Sequence, residues 1–93
     1  MLGQIQHMQQ QLRQAQARLT EEIVVGTAGG GAVRVTMTGD QRCRSIEISA
    51  DLLKDGDADI LQDHVLAAVN LALEQSRALA SERLGPIAGG LQL

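Results

Sequence analysis

Gly26 and the run Gly29-Gly30-Gly31 are the first residues whose type and spacing could do chemistry, because glycine-rich loops cradle phosphates through backbone N–H groups. A nucleotide loop of that kind also needs Lys followed by Ser or Thr after its last glycine, to reach the phosphates and their magnesium. Here Ala32-Val33 follow Gly31 and a strand pattern continues, so the cluster reads as a hairpin turn. Asp55, Asp57 and Asp59 have the alternating spacing that opens a calcium loop. Such a loop requires glycine at its sixth position and a bidentate glutamate at its twelfth, and those positions hold Ile60 and Leu66. Helix capping and solvated charge account for the aspartates instead. Neither His7 nor His64 has a second His or Cys at ligand spacing, so no metal site is expected. Cys43, Ser45 and Ser49 have no base beside them to activate a nucleophile. No acid, base and nucleophile assemble, and the chain is expected not to be an enzyme and to use no cofactor.

The arginines carry the remaining chemistry. Arg13 and Arg18 lie off the apolar seam of a first helix, and Arg77 and Arg83 fall near the end of a second. Guanidinium forks match phosphate oxygens, although an ordinary solvated face has the same composition. The net charge of −3 is unevenly spread. Residues 1–20 hold two arginines and no acid, whereas residues 50–64 hold five aspartates against Lys54. An anionic partner would avoid the aspartate side.

Those side chains need elements to hold them. Leu2, Ile5, Met8, Leu12, Ala15 and Leu19 recur at steps of three and four, which predicts an amphipathic helix padded by seven glutamines from Gln4 to Gln16. Ile23 to Thr27 predicts a first strand. Val33, Val35 and Met37 alternate with Arg34, Thr36 and Thr38 in a second, and Arg42 to Ser49 forms a third with Ile46 and Ile48 inward. Cys43 has the opposite parity to Ile46 and Ile48, so either a bulge intervenes or Cys43 faces the other way. Short turns between the strands predict an antiparallel meander. Asp57 is a good N-cap for a long second helix that runs to about Leu84, with Gly85-Pro86 as its stop. Its apolar residues form two stripes: Leu61, Val65, Ala68, Ala72 and Leu79, then Leu66, Val69, Leu73, Ala80 and Leu84. Together they exceed what a three-stranded sheet can bury, and a second subunit would cover the excess.

At 93 residues the chain has room for one domain, with residues 85–93 expected to be a flexible tail. It contains no Phe, Trp or Tyr, so base stacking on aromatic rings, the usual grip on single strands and RNA, is excluded. Phosphate contacts to a duplex need no aromatics. The single cysteine fits a reducing compartment, the N-terminus lacks the pattern of a signal peptide, and the apolar run Val65 to Leu73 is too short to span a membrane. These features predict a soluble cytoplasmic protein.

Several fragments in order resemble the YbaB/EbfC family of bacterial nucleoid-associated proteins. They are Gly29 to Gly39 (GGGAVRVTMTG), Ser45-Ile46-Glu47-Ile48, Asp51-Leu52-Leu53, Leu61-Gln62-Asp63, Ala67-Ala68-Val69-Asn70, and Leu84 to Gly90. The resemblance runs from Met8 through Gly90. It implies an α+β protomer, with an N-terminal helix, a three-stranded antiparallel sheet and a long C-terminal helix, that forms a homodimer through its sheet and second helix. It further implies helical arms that clasp double-stranded DNA, which makes Arg13, Arg18, Arg77 and Arg83 the DNA-binding candidates. The expected function is duplex binding in the nucleoid, mainly through phosphates and with little sequence specificity, for nucleoid organisation or gene regulation. No membrane and no small-molecule substrate is expected. The competing expectation is a protein-interaction adaptor without direct DNA binding, for which the acidic balance and the excess apolar helix surface speak.

Overall fold

A computed structural model of the chain describes residues 2–54 and 56–89. The glutamine-rich seam forms α1 (Leu2–Leu19), and three strands follow as β1 (Ile23–Ala28), β2 (Val33–Thr38) and β3 (Cys43–Ile48). A short α2 (Ala50–Lys54) leads into the long α3 (Ala58–Gly89). The strands make one antiparallel meander in the order β1-β2-β3. This is the α+β order that the sequence predicts, with α2 as an addition.

The glycine run is a turn. Gly29, Gly30 and Gly31 take φ of 62°, 67° and 96°, in the left-handed region that glycine enters without a Cβ penalty. The parity of Cys43 resolves as a bulge. Between Thr36 and Met37 the register shifts, so Met37 pairs with Cys43 while Val35 pairs with Ile46 and Val33 with Ile48.

Val33, Val35 and Met37 on β2 are buried against Ala68 and Ala72 of α3. That helix approaches the sheet very closely over Gly26, where a Cβ would stand 2.3 Å from the Ala68 carbonyl oxygen and 2.6 Å from the Ala72 nitrogen. Small residues on both sides set this spacing. One turn further along, the buried Ser76 hydroxyl lies 2.9 Å from the Thr38 carbonyl and 3.1 Å from that of Gly39, so its proton serves the end of β2.

Beyond the sheet, α3 continues alongside α1. Leu19 and Leu79 both close on Gly39, and Ile87 lies beside Gln11, Gln14 and Ala15, so the two helices run antiparallel as one arm. The molecule accordingly measures 63 × 22 × 16 Å. Asp57 caps α3 as the sequence suggests, its Oδ1 accepting from the Asp59 and Ile60 N–H groups at 3.0 and 3.3 Å.

Two expectations need revision. The long helix does not stop at Leu84 but runs through Gly85 and Pro86 to Gly89. The proline removes one backbone donor, and the contact of Ile87 with the α1 groove is what this last turn gains. Residues 90–93 of the expected tail lie outside the described residues. Ile46 and Ile48 share a sheet face with Val35 and Val33, yet they are 47% and 37% exposed. Their exposure follows from the position of α3, which lies over β1 and β2 and leaves β3 uncovered.

Candidate nucleic-acid interface

At about 100° of turn per residue, Leu66, Leu73, Arg77 and Leu84 fall within about 40° of one another on α3. Arg77 therefore continues a leucine stripe down the arm, on the flank toward β3. Leu66, at the sheet end of that stripe, is 61% exposed. Leu84, at its arm end, lines a groove of about 380 Å³ with Ala80, Gln16, Leu19 and, at its rim, Asp40 of the β2–β3 turn. Arg13 lies one turn before Gln16, on that same flank of α1. Both arginines are exposed, and among the described residues neither has a carboxylate within ion-pair distance. Glu74 stands one turn before Arg77 but makes no such pair.

The other two arginines are on the opposite flank. Arg18 is turned about 140° from Arg13, and Arg83 about 120° from Arg77. Arg18 and Arg83 meet across a groove of about 240 Å³ lined also by Gln11, Gln14, Ala15 and Ile87. The four candidates thus divide into two pairs on two sides of one arm. They do not form a single patch.

The second pair has company that the first lacks. Arg83 donates to Glu22 in a bidentate pair, Nη2 to Oε1 at 2.9 Å and Nε to Oε2 at 3.2 Å. Its Nη1 lies 3.8 Å from a carboxylate oxygen of Glu82. The hydrogen bond from Arg83 holds the Glu22 carboxyl below the ordinary carboxylate range, helped by the nearby Arg83 and Arg18 charges. The same bond raises Arg83 above its usual value. Glu22 joins the start of β1 to the arm half of α3 and was invisible to sequence reasoning. No local pattern links residues 61 positions apart.

The other basic residues sit elsewhere. Arg34 is on the sheet face turned away from α3, and Arg44 Nη2 reaches the Thr20 carbonyl at 3.5 Å, beyond the end of α1. His64 packs under the glycine turn, where a Cβ on Gly29 would stand 3.1 Å from its Nε2. Cys43 is a free, exposed thiol on the edge strand. Among the described residues, no three His, Cys, Asp or Glu side chains gather as metal ligands do.

The model of the YbaB/EbfC DNA-binding family matches residues 1–91. The chain belongs to that family. A nucleoid-associated protein of Chloroflexus aggregans is 45% identical over 87 residues, which cover 94% of this chain and 87% of that one. A nucleoid-associated protein of Mycobacterium sp. (strain KMS) is 45% identical over 91 residues, covering 98% and 83%. One from Pelotomaculum thermopropionicum is 41% identical over 93 residues, covering 100% and 89%. Among solved structures, an uncharacterized protein of Helicobacter pylori superposes with a TM-score of 0.71 at 21% identity, over 96% of this chain and 89% of that one. At that identity the match speaks for the fold alone.

Proposed function

We propose that this protein binds duplex DNA as a homodimer in the cytoplasmic nucleoid, through phosphate contacts from the inner sides of its two helical arms. Membership of a DNA-binding family and relatives named nucleoid-associated proteins support duplex DNA as the partner. The dimer is argued from uncovered apolar surface. Ile46, Ile48, Leu53 and Leu66 are exposed around the open β3 side of the body, next to an apolar groove of about 200 Å³ between Leu52 and Leu61. A patch of this kind on a small domain marks an association surface. A two-fold axis at that patch sets the same surface against itself.

The observation that carries the reading is the leucine stripe of α3. Because Arg77 continues the stripe whose uncovered end is Leu66, the flank facing the partner subunit is also the flank that bears Arg77 and Arg13. Dimerisation through β3 and α3 turns those arginines toward the space between the arms. We assign to them the contacts with the clasped duplex, four guanidiniums per dimer. Arg18 and Arg83, on the outer flank, are assigned no contact with that duplex.

Neither arm helix is the second member of a helix-turn-helix, so no element among the described residues is built to read the major groove. Sequence preference is accordingly small and comes from duplex shape. The protein acts by binding rather than by catalysis, in nucleoid organisation or gene regulation. The test is fluorescence anisotropy of a labelled 30-mer duplex across a salt series. With four phosphates neutralised, log affinity falls with log salt at a slope of about −3.6. Absence of binding at low salt rejects the reading in favour of a protein adaptor.

A further inference from the structure

We propose that Glu22 decides which side of the arm meets DNA: it closes the outer groove to phosphates, so that a dimer holds one duplex and does not join two. This rests on the duplex-binding reading above.

The two flanks carry equal numbers of guanidiniums, Arg13 and Arg77 inside, Arg18 and Arg83 outside. They differ in whether a carboxylate engages them: Asp40 lines the inner groove and Glu74 stands one turn before Arg77, yet neither makes an ion pair there among the described residues. On the outer flank Glu22 occupies the Nε and Nη2 edge of Arg83, and Glu82 stands at 3.8 Å from Nη1, so two negative charges answer two positive ones. The bidentate edge that Glu22 fills is the one a phosphate would use. A phosphate entering the groove between Gln14, Arg18 and Arg83 must displace that carboxylate or bind beside it.

Glu22 is also fixed in place by its backbone. Its N–H donates to the Arg18 carbonyl at 3.0 Å, and its carbonyl accepts from the Gly39 N–H at 2.9 Å. The carboxylate is thus carried on a rigid corner between α1 and β1. On the inner flank no carboxylate pairs with Arg13 or Arg77 among the described residues.

Removing the charge of Glu22 frees the Nε and Nη2 edge of Arg83, with Glu82 still near Nη1, and a dimer then presents four outward guanidiniums, as many as face the clasped duplex. The outer flank then becomes a second phosphate surface. The experiment uses the full chain, an unlabelled duplex immobilised on beads and a fluorescent duplex in solution, at low salt with protein limiting. Wild-type protein is retained on the beads and brings down only background fluorescence. Glu22→Gln brings down several-fold more, and adding Arg83→Ala to it returns capture to background. Glu22→Ala runs in parallel, because a glutamine carbonyl could still hold Arg83 by one bond, and thermal melting confirms that each variant is folded.

Retention of the Glu22 variants on the beads with no gain in capture overturns the proposal while leaving duplex binding intact. Capture by wild-type protein equal to that of the variants overturns it as well. If neither wild-type protein nor the variants are retained on the beads, the duplex-binding reading fails and takes this proposal with it.

Discussion

Replacing Arg77 by alanine tests the division of the arm into two flanks. Arg77 is exposed and makes no ion pair among the described residues, so the substitution removes a guanidinium without opening the core. Its effect on folding should stay within about 0.5 kcal/mol. Its effect on DNA should be large. With four inner guanidiniums per dimer, wild-type affinity has a salt slope of about −3.6, which is a loss of ~150-fold between 50 and 200 mM. The variant keeps only the two copies of Arg13, so its slope falls to about −1.8 and the same change of salt costs ~12-fold. Anisotropy of one labelled duplex at five or six salt concentrations gives both slopes. Arg18→Ala, on the outer flank, serves as the control and should leave the slope near the wild-type value. The assignment is wrong if Arg77→Ala keeps the wild-type slope, or if Arg18→Ala lowers it equally.

Three other outcomes follow from the structure. Gly26→Ala sets a methyl 2.3 Å from the Ala68 carbonyl, so α3 must lift off the sheet. Overpacking of this severity costs about 3 kcal/mol or more, and thermal unfolding should drop by at least ~12 °C; an unchanged melting temperature would mean the helix does not approach so closely. Leu66→Glu places a charge at a position that is 61% exposed in the protomer, so the fold should survive while light scattering reports a monomer and duplex binding weakens; a dimer of full affinity would move the interface elsewhere. The folded-state pKa of Glu22 is depressed, so the contribution of its pair with Arg83 is complete above the ordinary carboxylate range. That contribution is lost as pH falls through the lowered value, and NMR of the side-chain carboxyl should show a midpoint below that of free glutamate which moves up toward it in Arg83→Ala.

Much of the fold was legible because its elements obey local periodicities. The helix from Leu2 to Leu19, the alternation Val33-Val35-Met37 and the Asp57 cap each report on neighbours a few residues away, and each has its counterpart in the structure, although Leu2 and Ile5 of the helix seam are exposed. Where the chain departs from local rules, the cause lies in a distant partner. Gly85-Pro86 is a normal stop for a helix, but α3 passes through it where α1 lies alongside Ile87. Ile46 and Ile48 alternate as inward residues should, yet what covers a sheet face is decided by where a helix crosses it. The candidate site was legible to the same extent. Arginine is recognisable as a phosphate ligand by type, and all four candidates are on the arm. Their division into two flanks could have been read from the helical angles between Arg13 and Arg18 and between Arg77 and Arg83. The Glu22 clasp could not, since it joins two elements brought together only by the tertiary fold. Gly26 and Ser76 were likewise silent, because a close approach or a single hydrogen bond to a strand end leaves no repeating trace.

If two chains hold one duplex between their arms, the complex has a fixed stoichiometry of two to one. Sedimentation equilibrium of the protein with a short duplex at low salt, in excess protein, yields the mass of the complex without labels. A clasped duplex gives the mass of two chains and one duplex, and the protein alone gives the same two-chain mass. A complex of one chain with one duplex, or a duplex that sediments unchanged in the presence of a dimer, would contradict it.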